Sequence, residues 1–213
     1  MWLKYGLLAL AYLFGAIPFS IIIGKKFKNI DVREHGSGNP GGTNSLRFLG
    51  KKVGLWVLVF DGLKAGLIVL LIRFDIIASD LVFHPLAYGV AAAFGHVFSV
   101  YIKFKGGKAV AATVGMMIAY NIVYALIMFT VFMVVLKVWK YVSISSTTSV
   151  FAGLLIGLVV GFTGSDYSFL DGVTSSDWSM AIAFAVLFAL VVFRHKSNYR
   201  NILRKVEPKV SWI

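Results

Sequence analysis

Six long apolar runs, separated by short polar segments, dominate the hydrophobic pattern of the chain. The runs cover residues 3–24, 53–72, 81–102, 109–136, 150–164 and 178–193. Runs of about 20 apolar residues predict membrane-spanning helices, because a helix rises about 1.5 Å per residue and the hydrocarbon core is about 30 Å thick. The first run lacks the basic start and the cleavage site of a signal peptide, so we expect it to be a true span.

The composition also indicates a membrane protein. Of the 213 residues, 59% are hydrophobic and 14% are charged, whereas an average soluble domain has about 25% charged residues. Intrinsic disorder is excluded because it requires low hydrophobicity. The chain has no cysteine, which excludes disulfides and cysteine ligation of zinc or iron–sulfur clusters. We therefore expect an all-α integral membrane protein with one polytopic domain over residues 1–213.

The charges of the polar segments predict the orientation of the helices. Residues 25–52 hold seven basic and two acidic residues, and residues 103–108 hold three lysines and no acid. Residues 73–80 and 165–177 are acidic on balance. Basic loops tend to face the cytoplasm. The pattern therefore places the N-terminus outside and the C-terminus in the cytoplasm.

The run at residues 109–136 lies between two basic loops, so it should cross the membrane an even number of times. Its 28 residues would be about 42 Å long as one helix, against a core of about 30 Å. We expect a break near Tyr120 and Asn121, with a first half too short for a simple span. This gives a bundle of seven helices, one of them short. Six helices, with one violation of the charge rule, is the alternative.

The first polar loop combines glycines with several different hydrogen-bonding side chains. Residues 35–44 read HGSGNPGGTN, and an arginine follows shortly afterwards. Glycine lets the backbone approach a ligand closely, and arginine offers a bidentate fork for phosphate or carboxylate. The candidate side chains are Ser37, Asn39, Thr43, Asn44 and Arg47. A linker with helix caps is the alternative, but it would not need the arginine or so many different donors.

The second polar loop, KFKGGK at residues 103–108, directly precedes an apolar run. Glycines between lysines before a helix are typical of phosphate sites, where main-chain N–H groups and the helix N-terminus face the anion. The candidate ligands are Lys105, Gly106, Gly107 and Lys108. The spacing is not that of a Walker A motif. A basic turn that only sets the topology is the alternative.

A third group, RHKSNYR at residues 194–200, lies at the end of the last apolar run. His195 and Asn198 are three apart and share a helical face, and an imidazole at the membrane boundary can act as an acid or a base. A basic anchor for anionic headgroups is the alternative. In the polar segment 141–146, Ser143 is a further candidate.

The charge rule places these features on the cytoplasmic side, which predicts a site for a phosphorylated substrate. A transporter of organic phosphates and a scaffold that binds anionic lipid remain alternatives. A transporter would distribute polar groups through its spans. Here only Asp61 and Lys64 lie deep inside a run, three residues apart. A structural ion pair is one interpretation of these two residues and their role stays open, but so few deep charges favour an enzyme over a transporter.

Taken together, the motifs resemble those of the bacterial acyl-phosphate:glycerol-3-phosphate acyltransferase family. They are GSGNPGGTNSLR at residues 36–47, the segment from His96 through FKGGKAVA to Thr113, and RHxxN at residues 194–198. The resemblance covers nearly the whole chain, including its length, the number of spans and the order of the motifs. Gly42, Ser99 and Ala109 stand where the family often has Ala, Pro and Gly.

The resemblance implies transfer of a fatty acyl group from acyl phosphate to the sn-1 hydroxyl of glycerol 3-phosphate. The products would be lysophosphatidic acid and phosphate, in the first step of phospholipid synthesis. It also implies that Ser37, Arg47, His195 and Asn198 are essential, and that the loop 105–108 binds the phosphate of glycerol 3-phosphate. The general base is a substrate phosphate or His195. We expect no cofactor, metal ion or nucleic acid partner, and a monomer in the bilayer of the bacterial inner membrane.

Overall fold

The computed structural model describes residues 2–163 and 178–210, and its regular elements in this part are helices. The helices are α1 (Trp2–Gly15), α2 (Phe19–Lys28), α3 (Gly42–Phe48), α4 (Lys51–Arg73), α5 (Pro85–Val97), α6 (Val110–Tyr120), α7 (Ile122–Trp139), α8 (Val142–Thr163) and α9 (Ser179–Leu203). Short 3-10 turns cover Val32–Glu34, Ser79–Leu81 and Val100–Ile102. Among the described residues, six segments can cross a membrane and α6 is a shorter apolar helix. The predicted all-α membrane architecture is confirmed, while the predicted acidic loop at residues 165–177 lies outside the described residues.

Two compact units make up the chain, Met1–Tyr120 and Asn121–Ile213. Their boundary coincides with the predicted break in the run 109–136. α6 has 11 residues, about 16 Å, and ends at Tyr120. Asn121 then caps α7, because its Oδ1 accepts hydrogen bonds from the main-chain N–H groups of Val123 at 3.0 Å and Tyr124 at 3.2 Å. The predicted split is confirmed. The prediction of a single polytopic domain stays a prediction.

Within the first unit, α6 runs parallel to the second half of α4. A Cβ atom added to Gly115 would lie 2.1 Å from the carbonyl oxygen of Gly62, so the two backbones are in close contact. Further along, Nη1 of Arg73 donates to the carbonyls of Ala119 at 3.2 Å and Tyr120 at 3.0 Å. Small residues permit such close helix packing in membranes. α6 therefore begins beside the middle of α4 and ends beside its C-terminus.

The first apolar run is not one continuous helix, which the sequence pattern did not predict. α1 ends at Gly15 and α2 begins at Phe19, after Pro18. Proline lacks the N–H group that a continuous helix needs. The carbonyl of Ala16 accepts a hydrogen bond from Oγ of Ser99 at 2.5 Å, and the carbonyl of Ile17 accepts one from Nζ of Lys64 at 3.0 Å. Side chains from other segments thus donate hydrogen bonds to the carbonyl groups at the break.

The second unit contains α7, α8 and α9. α8 and α9 are antiparallel, since Phe151 contacts Phe188 at a ring separation of 5.3 Å and Gly157 packs on Ala181. α8 begins at Val142, well before the predicted start at residue 150. The polar segment 141–146 is mostly helical because its hydroxyl groups bond to carbonyls one turn back, as Ser146 does to Val142 at 2.7 Å.

Candidate functional site

Asn44 shapes the first glycine-rich loop from within. Its side chain lies at the start of α3 and is only 4% exposed. Its Nδ2 donates to the carbonyls of Val32 at 2.8 Å and His35 at 3.0 Å, and its Oδ1 accepts from the N–H of Ser37 at 3.4 Å. These bonds tie the two ends of the loop together. The structure gives Asn44 an organising role, and its predicted contact with substrate stays a prediction.

The other side chains of this loop are accessible. Ser37, Thr43 and Arg47 are exposed, and Asn39 is half-buried. The main-chain N–H of Asn39 donates to Oγ of Ser37 at 3.4 Å. The loop needs glycine at Gly36, where φ is +59° and an added Cβ atom would lie 2.2 Å from the ring of Phe48. Its backbone is therefore fixed, while its polar side chains face solvent or ligand.

Asp31 anchors the beginning of the same loop and was not singled out by sequence reasoning. Its carboxylate accepts hydrogen bonds from Arg33, from Nη2 at 2.6 Å and from Nε at 3.0 Å. Lys25 lies 3.3 Å away. The hydrogen bonds from the Arg33 side chain hold the pKa of Asp31 well below its usual range, and Asp31 in turn raises the pKa of Arg33. An aspartate two residues before an arginine is the only sequence signal for this anchor.

The second loop is compact because its amides bond to the end of α5. The N–H of Gly106 donates to the carbonyl of Val97 at 2.9 Å, and the N–H of Gly107 donates to the carbonyl of His96 at 3.0 Å. These bonds fix the loop backbone, and the contact of Gly106 and Gly107 with a phosphate stays a prediction. Of the two predicted cationic ligands in this loop, Lys105 is exposed and Lys108 is half-buried.

Ala109, which stands where the family often has glycine, completes the second loop in a left-handed conformation. It has a φ of +65° and is fully buried. A left-handed conformation costs an alanine about 1–2 kcal/mol. The alanine that replaces the frequent glycine of the family therefore lies at a strained backbone position, and the loop is compact despite this strain.

The two loops meet within the first unit. A Cβ atom added to Gly41 would lie 4.0 Å from Cα of Gly107. The two motifs are far apart in the sequence, so this proximity comes from the packing of α3, α4 and α6. The first and second motifs are therefore adjacent at this point, while their joint contact with a substrate stays a prediction.

In the second unit, His195 is held in a defined tautomer. The side chain is only 3% exposed, and its Nδ1 lies 2.9 Å from the carbonyl oxygen of Val191. A carbonyl can only accept a hydrogen bond, so Nδ1 carries the hydrogen. In the neutral ring the lone pair is then on Nε2, which is the atom able to take up a proton.

Asn198 is oriented by a carboxylate that sequence reasoning did not single out. Its Nδ2 donates to Oε1 of Glu207 at 2.6 Å, and Nδ2 of Asn201 donates to Oε2 of the same residue at 3.3 Å. The segment after α9 folds back, because the N–H of Val210 donates to the carbonyl of Lys140 at 2.9 Å. In the sequence, Glu207 is distinguished only as a single acidic residue among basic ones.

Ser143 lies at the same end of the α8–α9 pair as His195 and Asn198. The hydroxyls of Thr147 and Tyr199 form a hydrogen bond; Ser143 is one turn from Thr147, and His195 is one turn from Tyr199. Ser143 is 2% exposed, and within the described part of the chain its Oγ has no hydrogen-bond partner. A buried hydroxyl of this kind is suited to contact a ligand.

Asp61 and Lys64 form an ion pair, with Nζ of Lys64 2.7 Å from Oδ1 of Asp61. Both side chains are about 2% exposed. Since each charge is neutralised inside the helix packing, the pair does not resemble the lined polar pathway of a transporter.

The sequence of the chain is similar to those of proteins of known family. The glycerol-3-phosphate acyltransferase family matches residues 5–205. The chain is 42% identical to the glycerol-3-phosphate acyltransferase of Geobacillus kaustophilus, over 97% of this chain and 95% of the relative. It is 40% identical to that of Bacillus subtilis strain 168, over 97% of each chain.

A similar fold is found in the crystal structure of PlsY, described as an integral membrane glycerol 3-phosphate acyltransferase, in its glycerol 3-phosphate form. The match has a TM-score of 0.80 and 32% identity, and it covers 98% of this chain and 96% of the other. The lysophosphatidic acid form of PlsY matches with a TM-score of 0.79, over 98% of this chain and 95% of that one. The chain belongs to the glycerol-3-phosphate acyltransferase family.

Proposed function

We propose that this membrane acyltransferase transfers a fatty acyl group from acyl phosphate to the sn-1 hydroxyl of glycerol 3-phosphate. The products are lysophosphatidic acid and inorganic phosphate. The solved relative in glycerol 3-phosphate and lysophosphatidic acid forms supports the acceptor and the product. The bacterial relatives support a place in the bacterial cytoplasmic membrane, and we propose that the protein acts there as a monomer.

The observation that carries the proposal is the meeting of the two glycine-containing loops at Gly41 and Gly107. Both substrates carry a phosphate, so the enzyme needs cations and hydrogen-bond donors close together. Lys105 and Lys108 flank this contact in the sequence, and we assign them to the phosphate of glycerol 3-phosphate. We assign Ser37 and Arg47 to the acyl phosphate. Asn39 and Thr43 provide further hydrogen-bonding groups in the same loop.

The reaction needs positioning and charge stabilisation, since an acyl phosphate is already activated. The sn-1 oxygen attacks the acyl carbon, the bond from that carbon to the phosphate oxygen breaks, and phosphate leaves with the bonding electrons. Arg47 and the lysines neutralise the charge on the departing phosphate. On the resemblance of the RHxxN motif to that of the family, we assign the hydroxyl proton to His195, and Asn198 and Ser143 stay predicted substrate contacts. A phosphate oxygen of the substrate is the other possible base.

The test is release of phosphate by the purified, detergent-solubilised protein supplied with palmitoyl phosphate. We expect release that requires glycerol 3-phosphate, is insensitive to EDTA and is matched by formation of lysophosphatidic acid. Palmitoyl-CoA is the comparison donor. Turnover with acyl-CoA alone would overturn the assigned donor. No turnover with either donor, from folded protein, would overturn the proposed reaction.

His195→Gln tests the assignment of the general base. We expect kcat to fall by about 100-fold or more, the usual contribution of a positioned base, with a changed profile of rate against pH. His84→Gln is the matched control, because His84 caps α5 outside the candidate site, and it should keep the wild-type profile of rate against pH. Near-normal turnover of His195→Gln at every pH would assign the proton to the substrate phosphate instead.

A further inference from the structure

A buried polar network lies directly beneath the second glycine loop in the first unit. It consists of Asp61 and Lys64 on α4 and His96 on α5, with exposed fractions of 1%, 2% and 6%. Nδ1 of His96 lies 3.6 Å from Oδ1 of Asp61, the same oxygen that pairs with Lys64 at 2.7 Å. Charged groups inside a membrane span are costly to bury and usually serve a function.

His96 is the point at which this network contacts the loop. An added Cβ atom on Gly107 would lie 2.0 Å from Nε2 of His96, so the Gly107 backbone rests against the imidazole ring. The carbonyl of His96 also accepts the N–H of Gly107, and an added Cβ atom on Gly106 would lie 2.0 Å from that carbonyl oxygen. Both glycines are thus packed on one residue, so a change in the orientation of the ring would disturb the Gly107 backbone.

Asp61 fixes that orientation from the opposite side of the ring. Its Oδ1 lies 3.6 Å from Nδ1, and Nζ of Lys64, 2.7 Å from the same oxygen, holds the carboxylate in place. Lys64 is itself held by the carbonyl of Ile17, at the break between α1 and α2. Rigid support of this kind matters because a small displacement of a binding group can lower activity substantially.

We infer that Asp61 and Lys64 are positioning residues that act through His96 to hold the Gly106–Gly107 loop in the shape that binds the phosphate of glycerol 3-phosphate. This inference rests on the proposed function for its kinetic consequence. The structural consequence, the rigidity of the loop, is independent of that function. The two can therefore be tested separately.

The kinetic test compares Asp61→Asn with the wild type. We expect the KM for glycerol 3-phosphate to rise about 10-fold, while kcat and the KM for acyl phosphate change by less than about 3-fold. His96→Asn should show the same pattern. The double variant Asp61→Asn/His96→Asn should be no worse than the single variants, because residues that act through one another are not additive. Additive effects, or a loss of kcat alone, would overturn the inference.

The structural test is hydrogen exchange of the peptide that covers residues 104–109, measured by mass spectrometry. The amides of Gly106 and Gly107 are hydrogen-bonded, and we expect Asp61→Asn to speed their exchange by about 10-fold through local opening. If the unpaired Lys64 prevents folding of this variant, Asp61→Asn/Lys64→Met removes both charges and should show the same faster exchange. Unchanged exchange in the folded variant would overturn the inference.

Arg73→Met is the matched control. Arg73 is also a charged residue of α4 that bonds to main-chain carbonyls, but it contacts the far end of α6. It should lower thermal stability and leave both the KM for glycerol 3-phosphate and the exchange of residues 104–109 unchanged. If the wild type transfers no acyl group, the proposed function fails, and the exchange experiment still decides the positioning role.

Discussion

Single side chains at the candidate site divide into those that are exposed and those that hold the backbone. Arg47 and Lys105 are exposed, whereas Asn44 uses its amide to join the two ends of its loop. The sequence identified both kinds as site residues because it shows residue type and spacing. It could not separate them, since the partners of Asn44 are main-chain atoms whose positions depend on the folded loop.

Asn44→Asp should disable the first loop. The carboxylate would place an acceptor against the carbonyls of Val32 and His35, where the amide now donates. Loss of a buried donor costs about 2 kcal/mol, or about 30-fold in kcat/KM if the loop binds substrate. The matched control is Ser45→Ala, whose buried Oγ has no partner within the described part of the chain. Equal activity of the two variants would contradict the organising role of Asn44.

Asp31 should give the protein a measurable dependence of stability on pH. Its pKa is lowered in the folded state by Arg33, so its contribution is fully present above the ordinary aspartate pKa of about 3.9 and is lost as the pH falls below it. Asp31→Asn should therefore melt at a lower temperature than the wild type at pH 7. This difference in melting temperature should become smaller as the pH is lowered. The control Glu34→Gln, an exposed neighbour, should show a constant small difference. A difference in melting temperature that grows as the pH falls would contradict the predicted direction of the pH dependence.

At the level of helices, the sequence correctly predicted the break between α6 and α7. It missed the break between α1 and α2 and the early start of α8. The break at Tyr120 and Asn121 followed from counting membrane crossings between basic loops. The break at Pro18 was missed because hydropathy alone does not register it, although proline inside an apolar run is a signal. The early start of α8 was missed because serine and threonine count as polar in the sequence, whereas Ser146 bonds to its own helix.

The short helix α6 should depend on Arg73 for its C-terminal end. Carbonyls at the end of a helix lack helical partners, and Arg73 supplies a charged donor to those of Ala119 and Tyr120. Arg73→Met should lower the free energy of unfolding by about 1–2 kcal/mol, measured by thermal melting in detergent. Arg73→Lys should restore part of the loss. A melting temperature equal to that of the wild type would exclude this capping role.

For the whole molecule, composition and charge were enough to predict a multi-span helical protein, and the three motifs were enough to predict its family. The hydrogen bonds of the Gly106 and Gly107 amides to Val97 and His96 could not be predicted, because tertiary packing brings these partners together. The networks around Asp31, Asp61 and Glu207 share this property. Each consists of common residue types, and the role of each residue depends on which residues pack against it in the folded protein.

The predicted orientation can be measured directly, because the chain has no cysteine. Lys26→Cys should lie on the cytoplasmic side and Ser79→Cys on the outside, and both positions are exposed. A membrane-impermeant thiol reagent should label Ser79→Cys in intact cells and Lys26→Cys only after permeabilisation. The unmodified chain serves as the blank. Labelling of Lys26→Cys in intact cells would reverse the predicted topology.

The Asp61–Lys64 pair also bears on how the chain enters the bilayer during synthesis. A single aspartate or lysine at the centre of a helix costs about 2.5–3.5 kcal/mol on insertion. The two charges lie one turn apart on α4 and can neutralise each other as they leave the translocon. The carbonyl of Ile17, which completes the coordination of Lys64, belongs to a segment synthesised earlier, and His96 follows later. Ile17 is therefore already synthesised when the two charges emerge, and His96 joins them after α5 has been made.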